Sequence, residues 1–400
     1  MSFIAERLSA IQPSPTVAIT AKAKEMRAEG RDIIALSVGE PDFPTPAAIA
    51  EAGVEAIRQG YTKYTNVDGM PELKAAIREK FRKDNELDYG LDQITVSSGA
   101  KIILFNALLA TVNPGDEVII PAPYWVSYPD MVRLVGGEPV IVPCAQERGF
   151  LLDAATLEAA ITPRTRMLIL NTPNNPTGSV YDEAAYEAIA GVLEKHPGVL
   201  VLTDELYEHL TYDGFRFRSL AAVAPALKER VITVNGMSKG YAMTGWRLGF
   251  AGGPREIIRA INVLQSQNVN AASTIAQYAA LQALTGPRAY LEDHRKLFQK
   301  RRDLAVSMLN QTRGVSCDTP VGAFYVYPGI ADCIGKFTPE GKRLDSDTEF
   351  VLALLETEGV AAVPGSAFGL SPFFRISYAL SLAEMEEALG RIQRFCASLR

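Results

Sequence analysis

The stretch "VNGMSKGYAMTGWRLGF", residues 234–250, sets Lys239 between a serine and a glycine and places Arg247 eight positions further on. The two cations suit different work. An amine in a Gly-flanked turn can form an imine with an aldehyde. A guanidinium can grip a phosphate through two parallel N–H donors. Other reactive residue types collect at comparable places. Asn174, Asn175, Pro176, Thr177 and Gly178 follow the apolar run 166–171, Asp204 and Tyr207 follow 199–203, and Tyr124 and Trp125 follow 117–120. Ser97, Ser98, Gly99, Ala100 and Lys101 stand before or at the start of a helical pattern, and Ser238 precedes the lysine. A helix start behind a glycine offers N–H groups to a phosphate. Trp125 can stack on a planar ring, and Asp204 can hold a ring nitrogen protonated. A phosphate, a ring nitrogen and an aldehyde together describe pyridoxal phosphate, whose protonated ring is an electron sink.

Taken singly, each residue has a plain structural reading. Asn-Pro-Thr-Gly is a β-turn pattern, Asp204 can cap a helix, Trp125 can be core, and Lys239 and Arg247 can be solvated cations. Their shared placement is what points to chemistry, and that placement depends on the elements that carry them. "DEVIIPAPY" (116–124), "RMLILNTP" (166–173), "GVLVLTDELY" (198–207) and "RVITVNGMS" (230–238) are apolar, β-branched runs closed by turn residues. Such runs predict strands of a parallel sheet covered on both faces. Helical periodicity between them, as at 101–112 and 182–195, makes the order β-α-β-α and the class α/β. In open sheets of this kind ligands sit beyond the carboxyl ends of the strands, where every residue named above falls.

Beyond residue 254 the pattern changes. Long periodic segments at 254–283 and 287–312 predict helices. "GAFYVYPG" (322–329), "GVAAVPG" (359–365) and "FFRISYA" (373–379) predict short strands among helices at 346–357 and 382–398, a smaller α+β unit. "IIALSVGEPDFPTP" (33–46) reads as a strand and loop outside the main run, so the N-terminal segment is expected to join that unit. The expected division is a large domain over 47–290 and a small domain built from 1–46 and 291–400.

Composition narrows the function classes. The chain has 400 residues and a formal charge of −6, which argues against nucleic acid as the main partner. Four widely spaced cysteines and three histidines argue against a disulfide framework or a zinc site. No secretory signal or membrane span is read, and the expected compartment is the cytoplasm. No G-x-G-x-x-G follows a strand, which disfavours a nicotinamide dehydrogenase.

The ordered motifs "PSPTVAITAKAKEM" (13–26), "VGEPDFPTP" (38–46), "PAPYWVSYPD" (121–130), "NTPNNPTG" (171–178), "SKGYAMTGWRLG" (238–249), "GSAFG" (365–369) and "FRISYA" (374–379) resemble the fold-type I PLP-dependent aminotransferases of class I. Within that family the chain is most similar to the bacterial subgroup Ib aspartate aminotransferases, some of which also act on prephenate. The resemblance spans essentially the whole chain. It implies a large domain with a mostly parallel seven-stranded sheet, and a homodimer with shared active sites. Lys239 would be the Schiff-base lysine and the proton-moving base, and Arg247 would bind the cofactor phosphate together with Ser238 and the backbone of Gly99, Ala100 and Lys101. Asn175 and Tyr207 would reach the phenolate oxygen, Asp204 the pyridinium nitrogen, and Trp125 the ring face. Tyr64 would reach the phosphate of the partner subunit's site. Arg375 and the N–H of Gly39 would hold the substrate α-carboxylate, with Trp125 and Asn175 beside it, and Lys101, Ser14 and Thr16 the distal carboxylate.

The pattern departs from the family at three positions. Ala100 stands where Gly is common, which would strain the loop if its φ were positive. Val38 stands where Ala is common, and Gln12 where members that use prephenate carry a basic residue. The reaction implied is amino-group exchange between L-aspartate and 2-oxoglutarate. Prephenate or aromatic substrates, a PLP-dependent β-lyase and a non-enzymatic PLP-binding regulator are the alternatives. Gly240 and Gly245 are expected to let the backbone bend so that Lys239 and Arg247 reach one ligand.

Overall fold

The computed structural model describes residues 3–11 and 15–400, the side chains of residues 15 and 16 excepted. Its strands, in chain order, are β1 (Ile34–Ala35), β2 (Ile94–Ser97), β3 (Glu117–Ala122), β4 (Glu138–Pro143), β5 (Thr165–Asn171), β6 (Leu200–Asp204), β7 (Val231–Gly236), β8 (Gly249–Gly252), β9 (Tyr325–Val326), β10 (Val360–Ala361), β11 (Val363–Pro364) and β12 (Phe374–Ser377). Seven of them form the central sheet in the order β2-β8-β7-β6-β5-β3-β4, with β8 alone running against its neighbours.

Both faces of this sheet are covered, which explains the unbroken apolar runs. Side chains alternate across a strand. Leu168, Leu170 and Val201 enter one core cluster, while Met167, Ile169 and Leu202 enter the cluster on the opposite face. The helix Ala100–Thr111 lies in the second cluster through Ile103, Leu104, Ala107 and Leu108. The predicted strands 116–124, 166–173, 198–207 and 230–238 are β3, β5, β6 and β7. The sheet is completed by β2, β4 and β8, which the apolar-run criterion did not single out.

A third core cluster draws on both chain ends. Ile19, Ala23, Met26 and Leu36 pack there with Phe298, Phe324, Phe350, Phe374 and Phe395. β1 pairs in parallel with β10, and the antiparallel sheet β11-β12-β9 carries Arg375. Tyr207, Leu210 and Tyr212, which follow β6, join the same cluster and tie it to the central sheet.

The predicted helix 254–283 is two helices, Arg255–Asn268 and Thr274–Thr285. Asn270, in the left-handed region at φ +61°, breaks the first, and the Ser273 hydroxyl accepts from the Ala276 N–H to start the second. The predicted strand at 359–365 is likewise two short strands, β10 and β11. Among the described residues no helix is long and apolar enough to cross a membrane.

Candidate active site

The carboxyl ends of the parallel strands open into a cleft of about 590 Å³. Strand ends are brought into register by one side chain. Asn171, the last residue of β5, donates to the Asp204 carbonyl at 3.0 Å and accepts from the Asn175 N–H at 2.8 Å. Asp204, the last residue of β6, is buried. It accepts from the Tyr128 hydroxyl at 2.6 Å, and burial raises its pKa above the usual carboxylate value. Among the described residues its hydrogen-bond donors are neutral and no cation forms an ion pair with it, so it suits a protonated ring nitrogen.

Lys239 follows β7, and its Nζ donates to the Gly39 carbonyl at 2.6 Å. Burial, reinforced by the Arg375 and Arg247 charges, lowers its pKa to about 8, against the pull of Glu40 and Asp204. A substantial share of the amine is therefore neutral near pH 8, as a nucleophile or base requires.

The Arg247 end of the cleft is built from β2, β8 and the helix behind them. Gly99 has φ +96°, and a Cβ on it would lie 2.7 Å from the Arg247 Nη2. Glycine is required there both by the backbone and by the closeness of the guanidinium. Ala100 is the first residue of the helix and is not in the left-handed region, so its replacement of Gly brings no strain. A Cβ on Gly249 of β8 would meet the Ala100 N at 2.2 Å, so β8 can pass behind the loop only as glycine.

The expected bending role of Gly240 and Gly245 is corrected. Neither has positive φ; the left-handed residues of this turn are Ala242 (φ +51°) and Arg247 itself (φ +54°). Gly240 is needed for space, because a Cβ there would lie 2.9 Å from the His209 ring. Strain on the Arg247 backbone is stored at the site, held by the Nη1 hydrogen bond to the Thr244 carbonyl at 2.9 Å.

The opposite wall carries Arg375 from β12. It is 3% exposed and donates to the Asn175 Oδ1 at 3.0 Å and the Ser37 carbonyl at 2.5 Å. The Tyr325 and Phe368 rings lie 4.7 and 5.1 Å from its guanidinium carbon. Its Nε is buried without a hydrogen-bond partner, and among the described residues no carboxylate pairs with it. A buried guanidinium with only neutral partners is poised for a carboxylate from outside the chain. Lys101 lines the same cleft with its Nζ 4.9 Å from the Trp125 ring, and its pKa is lowered by burial and by Arg247.

The cleft thus gathers Gly39, Ala100, Lys101, Trp125, Asn175, Asp204, Tyr207, Ser238, Lys239, Arg247 and Arg375, with Gly99 directly behind Arg247. Tyr64 does not line it and is 89% exposed on its own chain. Gln12 and Ser14 lie outside the described residues, as does the Thr16 side chain; its neighbour Val17 lines the cleft. Sequence reasoning missed Tyr128, Asn171, Tyr325, Ser37 and Glu40. Asn171, Glu40 and Tyr128 sit inside quoted motifs and could have been named. By side-chain type alone, Tyr128 and Tyr325 read as ordinary core aromatics.

Comparison with known proteins places the whole chain among relatives of one family. Residues 31–392 match the family described as aminotransferase class I and II. The chain is 55% identical to the aspartate/prephenate aminotransferase of Cereibacter sphaeroides, with all of both chains covered. It is similar to the crystal structure of the Rhizobium meliloti aspartate aminotransferase, at TM-score 0.98 and 54% identity over all of both chains. It is also similar to the Thermus thermophilus aspartate aminotransferase with maleate, at TM-score 0.92 and 43% identity over 99% of this chain and 100% of that one. The chain belongs to the class I and II aminotransferase family.

Proposed function

We propose that this member of the class I and II aminotransferases uses pyridoxal phosphate to exchange an amino group between L-aspartate and 2-oxoglutarate, giving oxaloacetate and L-glutamate. The observation that carries the reading is Arg375, a buried guanidinium with no carboxylate of its own, facing the same cleft as the lysine amine of Lys239. The names of the relatives support aspartate, and the maleate named with the Thermus structure is a dicarboxylate.

The donor set fits the cofactor. Gly99 leaves a cradle that a Cβ would fill, Arg247 reaches into it, and the helix amides from Ala100 and Lys101 with Ser238 complete a phosphate site. Asp204 offers a buried carboxylate for the ring nitrogen, Trp125 a ring face, and Asn175 and Tyr207 donors for the phenolate. The bound cofactor supplies an electron sink for the charge left at the substrate Cα.

The chain's own residues do the rest. Arg375 anchors the α-carboxylate with the Gly39 N–H, and Lys101 with Ser14 and Thr16 takes the distal one. Lys239 Nζ, with its lowered pKa, removes the proton from the substrate Cα and returns one. Asp204 keeps its partner cationic because its carboxylate is buried beside a single phenol donor. Tyr64, exposed on its own chain, suits a reach into a second copy, so the working form is a homodimer. The segments 47–290 and 1–46 with 291–400 act as the two units that close on the substrate. Four buried free thiols suit the cytoplasm.

The test is the half-reaction. Mixed with L-aspartate alone, the PLP-loaded enzyme should lose its visible aldehyde-derived band and release one oxaloacetate per site; 2-oxoglutarate should restore the band. A β-lyase needs a leaving group on Cβ, which aspartate lacks; it would leave the band unchanged with aspartate and instead split an S-substituted cysteine into pyruvate, ammonia and a thiol without a second acid, and that pair of results would overturn the reading. Prephenate belongs in the same acceptor panel, because the Cereibacter relative carries it in its name.

A further inference from the structure

Tyr325 has no assigned role, yet it touches both ends of the cleft. It stands on β9, whose Tyr325 and Val326 pair with Ser377 and Ile376 of β12. Arg375 lies two residues from Ser377 and so shares its face of the sheet, which sets Tyr325 and Arg375 as diagonal neighbours. The guanidinium carbon accordingly lies 4.7 Å from the Tyr325 ring centre. From the other end of the same ring, the hydroxyl makes a 2.8 Å hydrogen bond with the Tyr207 hydroxyl. The third contact is with Gly39. A Cβ on that residue would lie 2.7 Å from the Tyr325 hydroxyl oxygen and 3.6 Å from the ring carbon that bears it. Gly39 is not left-handed, so its glycine is required by this hydroxyl and not by its backbone. Tyr325 is fully buried, and its contacts leave it little freedom.

We propose that Tyr325 is a positioning residue that couples the two ends of the site: its hydroxyl orients Tyr207 toward the cofactor and limits position 39 to glycine, while its ring seats Arg375 for the substrate carboxylate. The proposal rests on the roles given above to Tyr207, Arg375 and Gly39, and it predicts that the two functions separate chemically. Removing the hydroxyl alone disturbs the cofactor end. Removing the ring as well disturbs the carboxylate end.

The test uses the PLP-loaded enzyme and two readouts that need no turnover: the rate of PLP loss on dilution, and the Kd of maleate read from its perturbation of the visible band. Tyr325→Phe should speed PLP loss about five-fold, the worth of one hydrogen bond, and leave maleate affinity unchanged. Tyr325→Leu should weaken maleate roughly ten-fold in addition, as the cation loses its aromatic seat. In the Tyr207→Phe background, Tyr325→Phe should add nothing further, because the two hydroxyls act as one unit. Gly39→Ala should weaken maleate in the parent enzyme and do so less in the Tyr325→Phe enzyme, where the nearest ring carbon is at ordinary contact distance.

Additive effects in the double variant, parental PLP retention in Tyr325→Phe, parental maleate binding in Tyr325→Leu, or no relief of Gly39→Ala would overturn the proposal. If Tyr325→Leu fails to fold, the Phe arms decide alone. Parent enzyme that binds neither PLP nor maleate would instead strike the functional reading itself, whatever Tyr325 does.

Discussion

Two buried cations sit on opposite sides of the β6 terminus and are treated in opposite ways. Behind it, Lys80 pairs with Glu208, the two side chains 2% and 3% exposed, and Asn85 donates to the same carboxylate at 2.7 Å. Burial pushes the Glu208 pKa up, but Lys80 and His209 outweigh it and hold the group at about 2. In front, Arg375 is as deeply buried and has only amide, carbonyl and ring partners. The first region is electrostatically complete and belongs to the fold. The second keeps a charge out of water without a counterion, a cost that a fold alone would not retain. Burial does not distinguish structure from site here; the presence or absence of the counterion does.

That contrast can be broken at several points. The largest effect expected is Lys239→Ala, which should lower aspartate turnover at least about 10⁴-fold by removing the proposed proton-moving group. Arg375→Leu should lower kcat/KM for aspartate by about 10³-fold, the loss of a buried charge pair with the substrate. The same variant should unfold in urea no more easily than the parent, since it removes an uncompensated charge. Glu208→Gln should do the reverse: urea unfolding should show a loss of about 3 kcal/mol, with turnover per folded molecule retained. Equal stability losses in Arg375→Leu and Glu208→Gln would erase the distinction.

Smaller still is Tyr128→Phe. Its loss of a hydrogen bond to a buried carboxylate should weaken PLP retention about ten-fold, measured by the visible band after dialysis. The smallest effect is a pH shift. In the proposed reaction the neutral Lys239 amine is the group that would capture the cofactor aldehyde, so PLP reloading of the cofactor-free enzyme should rise with pH up to about 8 and then flatten, well below the ordinary lysine range. Because the Arg375 charge helps to lower that pKa, Arg375→Leu should move the midpoint upward.

Much of this site could be read from the chain because its residues close continuous apolar strands. Asn175, Asp204 and Lys239 each follow a run of buried β-branched residues, and a strand end marks them. β8 is not legible: "GFAG" is four residues with two glycines, of which Gly249 serves the close approach of the Ala100 backbone and Gly252 leaves room for the Tyr89 ring. The break at Asn270 was hidden because apolar periodicity continues across it. The bend expected at Gly240 and Gly245 falls instead on Ala242 and Arg247, which do not stand out in the sequence because glycine is the usual signal of a left-handed residue. The roles of Tyr128 and Tyr325 were invisible for a different reason. A tyrosine in an apolar segment looks like core, and only its hydroxyl partner, Asp204 or Tyr207, separates the two cases.

The sequence by itself determined the α/β class, the strands that end at the cleft and the residue types that can bind an anion, a ring nitrogen and an aldehyde. These follow from local patterns: unbroken apolar runs, turn residues and the chemistry of single side chains. Tertiary structure alone decided which charges are paired. Glu208 stands in the acidic stretch 204–213 and Arg375 in the apolar run 373–379, and neither context names a partner. Lys80 reaches Glu208 from 128 positions away, whereas among the described residues Arg375 hydrogen-bonds the neutral Asn175 and Ser37 across 200 and 338. Electrostatic compensation acts over a few ångströms of space and not along the chain, so the open cation that defines the site becomes visible only when the chain is folded.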